Sequence, residues 1–330
     1  MRSGKELLIA TKQYAKEQRW RSWWHFWSTL IVAGICLTVA SMSFPWYVCL
    51  ISSLIGSLTL IRFFIIYHDY MHGAILSDSV VAGVILKIYG TLVLSPPYIW
   101  KHSHDEHHKN NARKFGPVLG TFPVLSTEYY AKASWAERLY YAISRHPLTI
   151  LTAYVTVFAW DMCFHAFLID PKKHFDGLLA IVVHVCLLFA LGFFVSLQAM
   201  FLGMMLPMAI ITCLGAYLFY AQHNFPGVVH RHGEDWDHVQ AALHSSSYMR
   251  MGPIMNWFTG NIGYHHVHHL NAKIPFYRLP EAMAGLEELQ SPVVTSLHPA
   301  DVFRCLQLKL WDAPTDRLLS FREAREVAGQ

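Results

Sequence analysis

Between Ser28 and Ile61 the chain runs for 34 residues without a Lys, Arg, Asp or Glu, and between Leu178 and Tyr220 it does so for 43. No other feature narrows the choice of fold so far. Crossing the apolar core of a bilayer takes about 20 residues of helix. Each run therefore holds two crossings. The first pair turns near Ser43-Phe44-Pro45 and the second near Gln198 to Gly203, which puts the spans at about 28–46, 48–67, 178–198 and 201–221. In hydrocarbon every backbone polar group must be satisfied within the segment, so the spans are helices. Two more apolar stretches, 79–100 and 147–169, are interrupted by Lys87 and by Asp161 and His165. Each is either a further span or a helix that lies at the interface or dips in and out.

Charge asymmetry sets the orientation. Residues 1–27 carry Arg2, Lys5, Lys12, Lys16, Arg19 and Arg21, and read as a basic amphipathic segment at the membrane surface. Both inter-span turns carry no Lys or Arg, whereas Lys172 and Lys173 precede the third span. The positive-inside rule then puts the N-terminus, 68–176 and everything after Ala221 on the cytoplasmic side. The expected fold is one all-α integral membrane domain over 1–330. It has four transmembrane helices, interfacial helices and a cytoplasmic helical cap over 222–330. Charged residues make up only 15% of the chain, against about 25% in a soluble domain. The net charge of +4 is too small for the basic stripe of a nucleic-acid binder. The six cysteines form no CxxC pair, which argues against a disulfide framework or a cysteine zinc site.

There are 21 histidines, nearly as many as the 22 acidic residues, and they are clustered. His68 and His72 frame the first group, His104, His107 and His108 the second, and His265, His268 and His269 the third. His223 stands alone after the fourth span. Residues three or four apart share a helix face, so each group can point its rings one way. Nine imidazoles are too many for one ion and fit two. Imidazole suits zinc, copper, iron or nickel, so ligand type alone does not choose the metal. A redox metal pair beside hydrocarbon suggests oxidation of a lipid chain. Asp69, Asp105 and Glu106 lie inside the groups and are candidates to orient ligand rings through the second ring nitrogen. His102 and His266 fall outside the repeated spacing, and His230, His232, His238 and His244 stay unassigned.

The segments HDYMH, HDEHH and HHVHH, with QHNF and the phrase GNIGYHHVHHL, resemble the membrane-bound fatty acid desaturases, in particular the acyl-lipid type of bacterial enzyme. The resemblance covers about residues 28 to 290. It implies a non-haem di-iron centre held by His68, His72, His104, His107, His108, His223, His265, His268 and His269, with O2 as co-substrate. It also implies a bacterial inner-membrane location with the histidines on the cytoplasmic side. Acyl-CoA relatives carry an asparagine four residues before the lone histidine, where this chain has Phe219; Asn261, four before His265, is the nearest substitute. No HPGG signature is present, so electrons are expected from a separate donor such as ferredoxin or cytochrome b5. The substrate is expected to be a fatty acyl lipid carried as phospholipid, acyl-CoA or acyl-ACP, and membrane lipid is the other partner.

An acyl chain has no polar marker near its middle, so depth in an apolar tunnel must select the reacting carbons; Tyr70, Trp100, Trp257 and Phe258 are candidate lining. Lys101, Lys109, Arg113, Lys114, Lys172, Lys173, Arg250 and Arg278 would offer a basic face to an acidic electron carrier or to anionic headgroups. A hydroxylase on the same scaffold would carry the same histidines. A histidine-rich metal transporter would need ionisable residues along its spans, and only Arg62 and His184 interrupt these.

Overall fold

The computed structural model describes residues 2–112, 122–230 and 236–328. Among the described residues, four helices are long and apolar enough to cross a bilayer: Arg19–Ser41, Trp46–His72, Phe175–Val195 and Leu197–His223. The rest is mainly short helices. The described residues include five strands of two or three residues, which make a three-stranded sheet, in which Leu125–Ser126 and Arg317–Leu319 flank Leu310–Asp312, and a parallel pair of Tyr248–Arg250 with Val294–Ser296.

The first span starts at Arg19, inside the segment expected to lie on the surface, because aromatic residues continue its apolar pattern. Trp20, Trp24, Trp46 and Tyr47 are exposed near the ends of the first two spans, as interfacial aromatics are. The remainder of the N-terminal segment is tied to the C-terminal region. Its helix Gly4–Thr11 buries Leu7 and Thr11. Asn271 donates to the Thr11 hydroxyl at 2.8 Å, and Arg278 donates to the carbonyls of Gln13 (2.9 Å) and Lys16 (3.0 Å).

The second span outlasts its apolar stretch. Its 27 residues make about 40 Å at 1.5 Å per residue, against an apolar core of about 30 Å. The surplus matches the last turns, which carry His68 and His72. Gly73, at φ +66°, ends the helix in the left-handed conformation and donates to the carbonyls of Asp69 and Tyr70.

The turn between the third and fourth spans is shorter and earlier than expected. One residue, Ser196, is extended, and its hydroxyl accepts from the Ala199 N–H at 3.0 Å to cap the next helix. Gln198, placed in the turn by the sequence, is helical and donates to the carbonyls of Ala40 and Met42, closing off the end of the first span. Ser53 of the second span donates to the Leu202 carbonyl at 2.7 Å, so the first, second and fourth spans are joined by polar contacts as well as packing.

Neither ambiguous stretch is one straight span. Val80–Leu92 and Pro97–Lys109 meet at 89°. The break falls at Leu94 (φ +56°) and Ser95-Pro96-Pro97, where two prolines lack an N–H and push the preceding residue out of the helical region. The 147–169 stretch becomes Pro147–Leu151, a wider π-wound segment Tyr154–His165, and Ala166–Ile169.

Candidate metal centre

The C-terminal ends of the second and fourth spans put His68, His72 and His223 at the same end of the bundle as the helices Pro97–Lys109 and His265–Leu270, and all nine histidines converge there. They form two groups. His68, His72, His104, His108 and His268 make one, and His107, His223, His265 and His269 the other; within each, the candidate ligand nitrogens lie within 4.8 Å of one another. The sequence segments are split between them. Each i, i+4 pair stays together, while the remaining histidine of the triplet, His107 or His268, crosses to the other group. At about 100° per residue, positions i+3 and i+4 lie on opposite sides of position i, so a helix wedged between two sites serves both.

The arrangement fits metal. In the group of four, the Nε2 atoms close a ring: His107 to His223 3.0 Å, His223 to His265 2.9 Å, His265 to His269 3.1 Å, and His269 to His107 3.2 Å. Atoms at that spacing lie about 2 Å from their common centre, close to the length of an imidazole–metal bond. In the group of five, Nε2 of His108 is 3.2 Å from that of His104 and 3.1 Å from that of His268. In His223 the proton points outward. His223 Nδ1 lies 3.0 Å from the Ser245 carbonyl, which only accepts, so Nδ1 carries the hydrogen and Nε2 presents a lone pair inward. Burial first, and then repulsion from neighbouring rings, holds His265, His268 and His269 well below the usual imidazole range, which favours the neutral form, the one able to bind a metal. Lone pairs facing one another at about 3 Å repel, and a cation between them removes that repulsion.

Among the acidic candidates, Asp69 reaches a ring. It is buried, its Oδ1 lies 2.9 Å from His68 Nδ1, and its Oδ2 accepts the Phe276 N–H at 2.7 Å. Asp105 instead pairs with Lys101 at 2.8 Å on the outer side of its helix. Glu106 accepts from Asn110 and faces Lys109. Asn261 donates to the Phe276 carbonyl at 3.2 Å, bracing the loop that serves Asp69. His266 turns away and donates to the Leu289 carbonyl; burial pushes its imidazole down to about 4. His102 and His244 are exposed, His238 lies 3.3 Å from the Leu270 carbonyl, His230 is buried, and His232 lies outside the described residues. The Ser245 carbonyl and the Phe276 N–H were missed by sequence reasoning, because a backbone group leaves no residue signature.

The third histidine segment is held by two glycines. Gly260 sits at φ +52°, and a Cβ there would come within 2.8 Å of Ile65 on the second span. A Cβ on Gly263 would come within 2.3 Å of the Met249 carbonyl, the strand next to it. The Met249 N–H donates to the Gly263 carbonyl at 2.8 Å.

Below the histidines lies a cavity. Ile61, Phe64 and Ile65 of the second span line it, with Val157, Phe158 and Met162 of the π-wound segment and Ile211, Thr212, Gly215, Ala216, Leu218 and Phe219 of the fourth span. His68, His104, His107 and His265 form its polar end. Trp100 also lines it, stacked on His104 with ring centroids 4.4 Å apart. The other aromatic candidates lie elsewhere: Trp257 packs on the Arg62 guanidinium and on Phe258, and the Tyr70 hydroxyl faces Gly83. Of the basic residues, Lys101, Lys109, Lys172, Lys173 and Arg250 are exposed. Arg278 is not a free surface charge, since it is buried and paired with Glu281. Arg113 and Lys114 lie outside the described residues.

Comparison with known proteins agrees with this architecture. The family model for fatty acid desaturases matches residues 43–298. The chain is 29% identical over 299 residues to a protein of Bacillus subtilis (strain 168) named fatty acid desaturase, covering 88% of this chain and 82% of that one. It is 22% identical to the sn-1 acyl-lipid omega-3 desaturase (ferredoxin) of Nostoc sp. (strain 36), covering 81% of this chain and 75% of that one. It is 23% identical to an oleoyl-12-hydroxylase of Ricinus communis, covering 68% of this chain and 62% of that one. With nine histidines gathered at one end of four membrane helices, and a family match over most of its length, this chain belongs to the fatty acid desaturase family.

Proposed function

We propose that the protein is a fatty acyl desaturase that inserts a double bond into an acyl chain, with His68, His72, His104, His108 and His268 holding one iron and His107, His223, His265 and His269 the other. The observation that carries this reading is an apolar cavity bordered at one end by imidazoles from both converging groups. The overall reaction takes two hydrogens from adjacent methylenes, consumes O2, two electrons and two protons, and releases two waters. Two bound irons would supply the oxygen and electron chemistry. The residues of the chain do the rest. Asp69 and the Ser245 carbonyl fix the ring orientation of His68 and His223. The apolar lining holds the hydrocarbon and keeps out water that would compete with it. Trp100, flat against His104, limits where the chain can lie beside the rings.

The rings lie at the basic end of the bundle, near Arg19 and Arg21, which supports a cytoplasmic location for them. Residues 222–330 would form the cytoplasmic cap. A separate electron donor of the ferredoxin or cytochrome b5 type would dock on this side; relatives named as ferredoxin desaturases favour the former. Those names also favour an acyl lipid as the substrate. A hydroxylase outcome is the second reading, supported by the relative named oleoyl-12-hydroxylase. Expression in a host poor in unsaturated lipids, followed by gas chromatography of the fatty acids, tests both. New unsaturated chains are expected; hydroxy acids alone would replace desaturation with hydroxylation, and neither product would remove both.

A further inference from the structure

On the fourth span, Gly215 lies in the middle of the face that lines the cavity. At about 100° per residue, Ile211, Leu218, Phe219 and Gln222, all cavity residues, fall within about 60° of it around the helix. A Cβ built on Gly215 meets no atom within 4 Å. The open space in front of it is therefore the cavity, kept clear by the missing side chain. The Thr212 hydroxyl beneath it is committed to the Met208 carbonyl at 2.6 Å, so this part of the wall offers a ligand no polar partner. A carboxyl ester would stay unpaired there at a cost, and the end of the acyl chain that fits is the methyl end.

Depth follows from helix rise. Gly215 precedes His223 by eight residues, about 12 Å at 1.5 Å per residue, and Ile211 lies about 18 Å below it. Ile61 on the facing span is about 10 Å below His68. A C–C bond of about 1.5 Å at the tetrahedral angle advances an extended chain by about 1.25 Å per methylene. The level of Gly215 is then about ten carbons from the rings, and that of Ile211 about fourteen.

We propose that Gly215 determines how many carbons fit between the reacting pair and the methyl end, and so helps select chain length and double-bond position. This rests on the desaturase reading of the same site. A side chain at 215 would close off the lower part of the cavity, the room for about four carbons.

The test expresses wild type, Gly215→Ala, Gly215→Leu and Gly34→Leu in a host poor in unsaturated lipids and fed saturated acids of graded length. Double-bond positions are read by mass spectrometry of dimethyl disulfide adducts. Gly34 is the control: it also has open space in front of it, but on the exposed side of the first span and away from the cavity. Gly215→Leu is expected to shorten the methyl-side segment by about four carbons, through shorter substrates or a double bond nearer the methyl end, and Gly215→Ala by one or two. Gly34→Leu is expected to match wild type. An unchanged profile in an active Gly215→Leu overturns the proposal, as does the same shift in Gly34→Leu. If Gly215→Leu is inactive, Gly215→Ala decides: a shift supports the proposal, and an unchanged profile or loss of product at every chain length overturns it. A wild type that makes no oxidised product would refute the desaturase reading itself, before Gly215 is considered.

Discussion

Asp69→Asn is the most informative single change, because both carboxylate oxygens are in use. Oδ1 faces the His68 Nδ1 at 2.9 Å, and Oδ2 takes the Phe276 N–H at 2.7 Å. An asparagine has one oxygen for these two donors. If its NH2 faces Phe276, two N–H groups oppose each other in a buried site, at a cost of about 1–3 kcal/mol. If its NH2 faces His68, that ring must move its proton to Nε2 and withdraw a lone pair from the group of five. Loss of such an orienting partner costs about 10–100-fold in metal affinity, or roughly 1.4–2.7 kcal/mol. The assay is chelator competition on purified protein in detergent, with Fe(II) and with Co(II) as a spectroscopic substitute. One of two bound ions should weaken by that factor, since the group of four does not touch Asp69. An Asn variant that binds both ions as tightly as wild type would refute the reasoning. Equal weakening of both ions would also refute it, because the effect would then be general to the fold.

Three further outcomes are expected. His107→Ala and His268→Ala should each abolish activity (more than about 100-fold) while the protein still inserts, and metal analysis should find each short of one ion rather than two. Gly263→Ala should destabilise the protein by about 1–3 kcal/mol through the clash with the Met249 carbonyl, seen as a lower unfolding temperature; an unchanged temperature would mean that the strand yields freely. For pH, His266 titrates near 4 when folded and near 6.5 when unfolded. Above pH 6.5 both states are neutral and the stability is fully present. As pH falls from 6.5 towards 4, the unfolded chain takes a proton that the folded one refuses, and up to about 3 kcal/mol is lost. Unfolding temperature against pH should therefore be flatter below 6.5 in His266→Gln, and a parallel curve would assign the acid loss to other groups.

Four spans could be read from the two long charge-free runs, because burying an unpaired charge in hydrocarbon is costly enough to mark the sequence. The ends of those helices were less legible. Hydropathy stops at Tyr67, while the helix continues to Gly73, where backbone conformation and not polarity ends it. The turn at Ser196 hides in an apolar run, because one hydroxyl cap is enough to restart a helix. The tie between the N-terminal segment and Arg278 joins residues more than 260 positions apart, and no local pattern announces such a contact.

The sequence by itself determined the inventory of the site. Imidazoles at spacings of three and four are a local property of a helix, so eight of the nine candidate histidines could be named without a fold, and the lone His223 by its place just after the fourth span. Only the tertiary structure decided how they divide. Whether His107 joins His104 and His108 or crosses to His223 depends on which elements flank the helix, and the ones that meet His107, the end of the fourth span and the helix His265–Leu270, come from positions more than a hundred residues away. The same holds for Gly215, an ordinary helical glycine in the sequence. Its role as open space exists only because the second span and the π-wound segment stand across a gap from it.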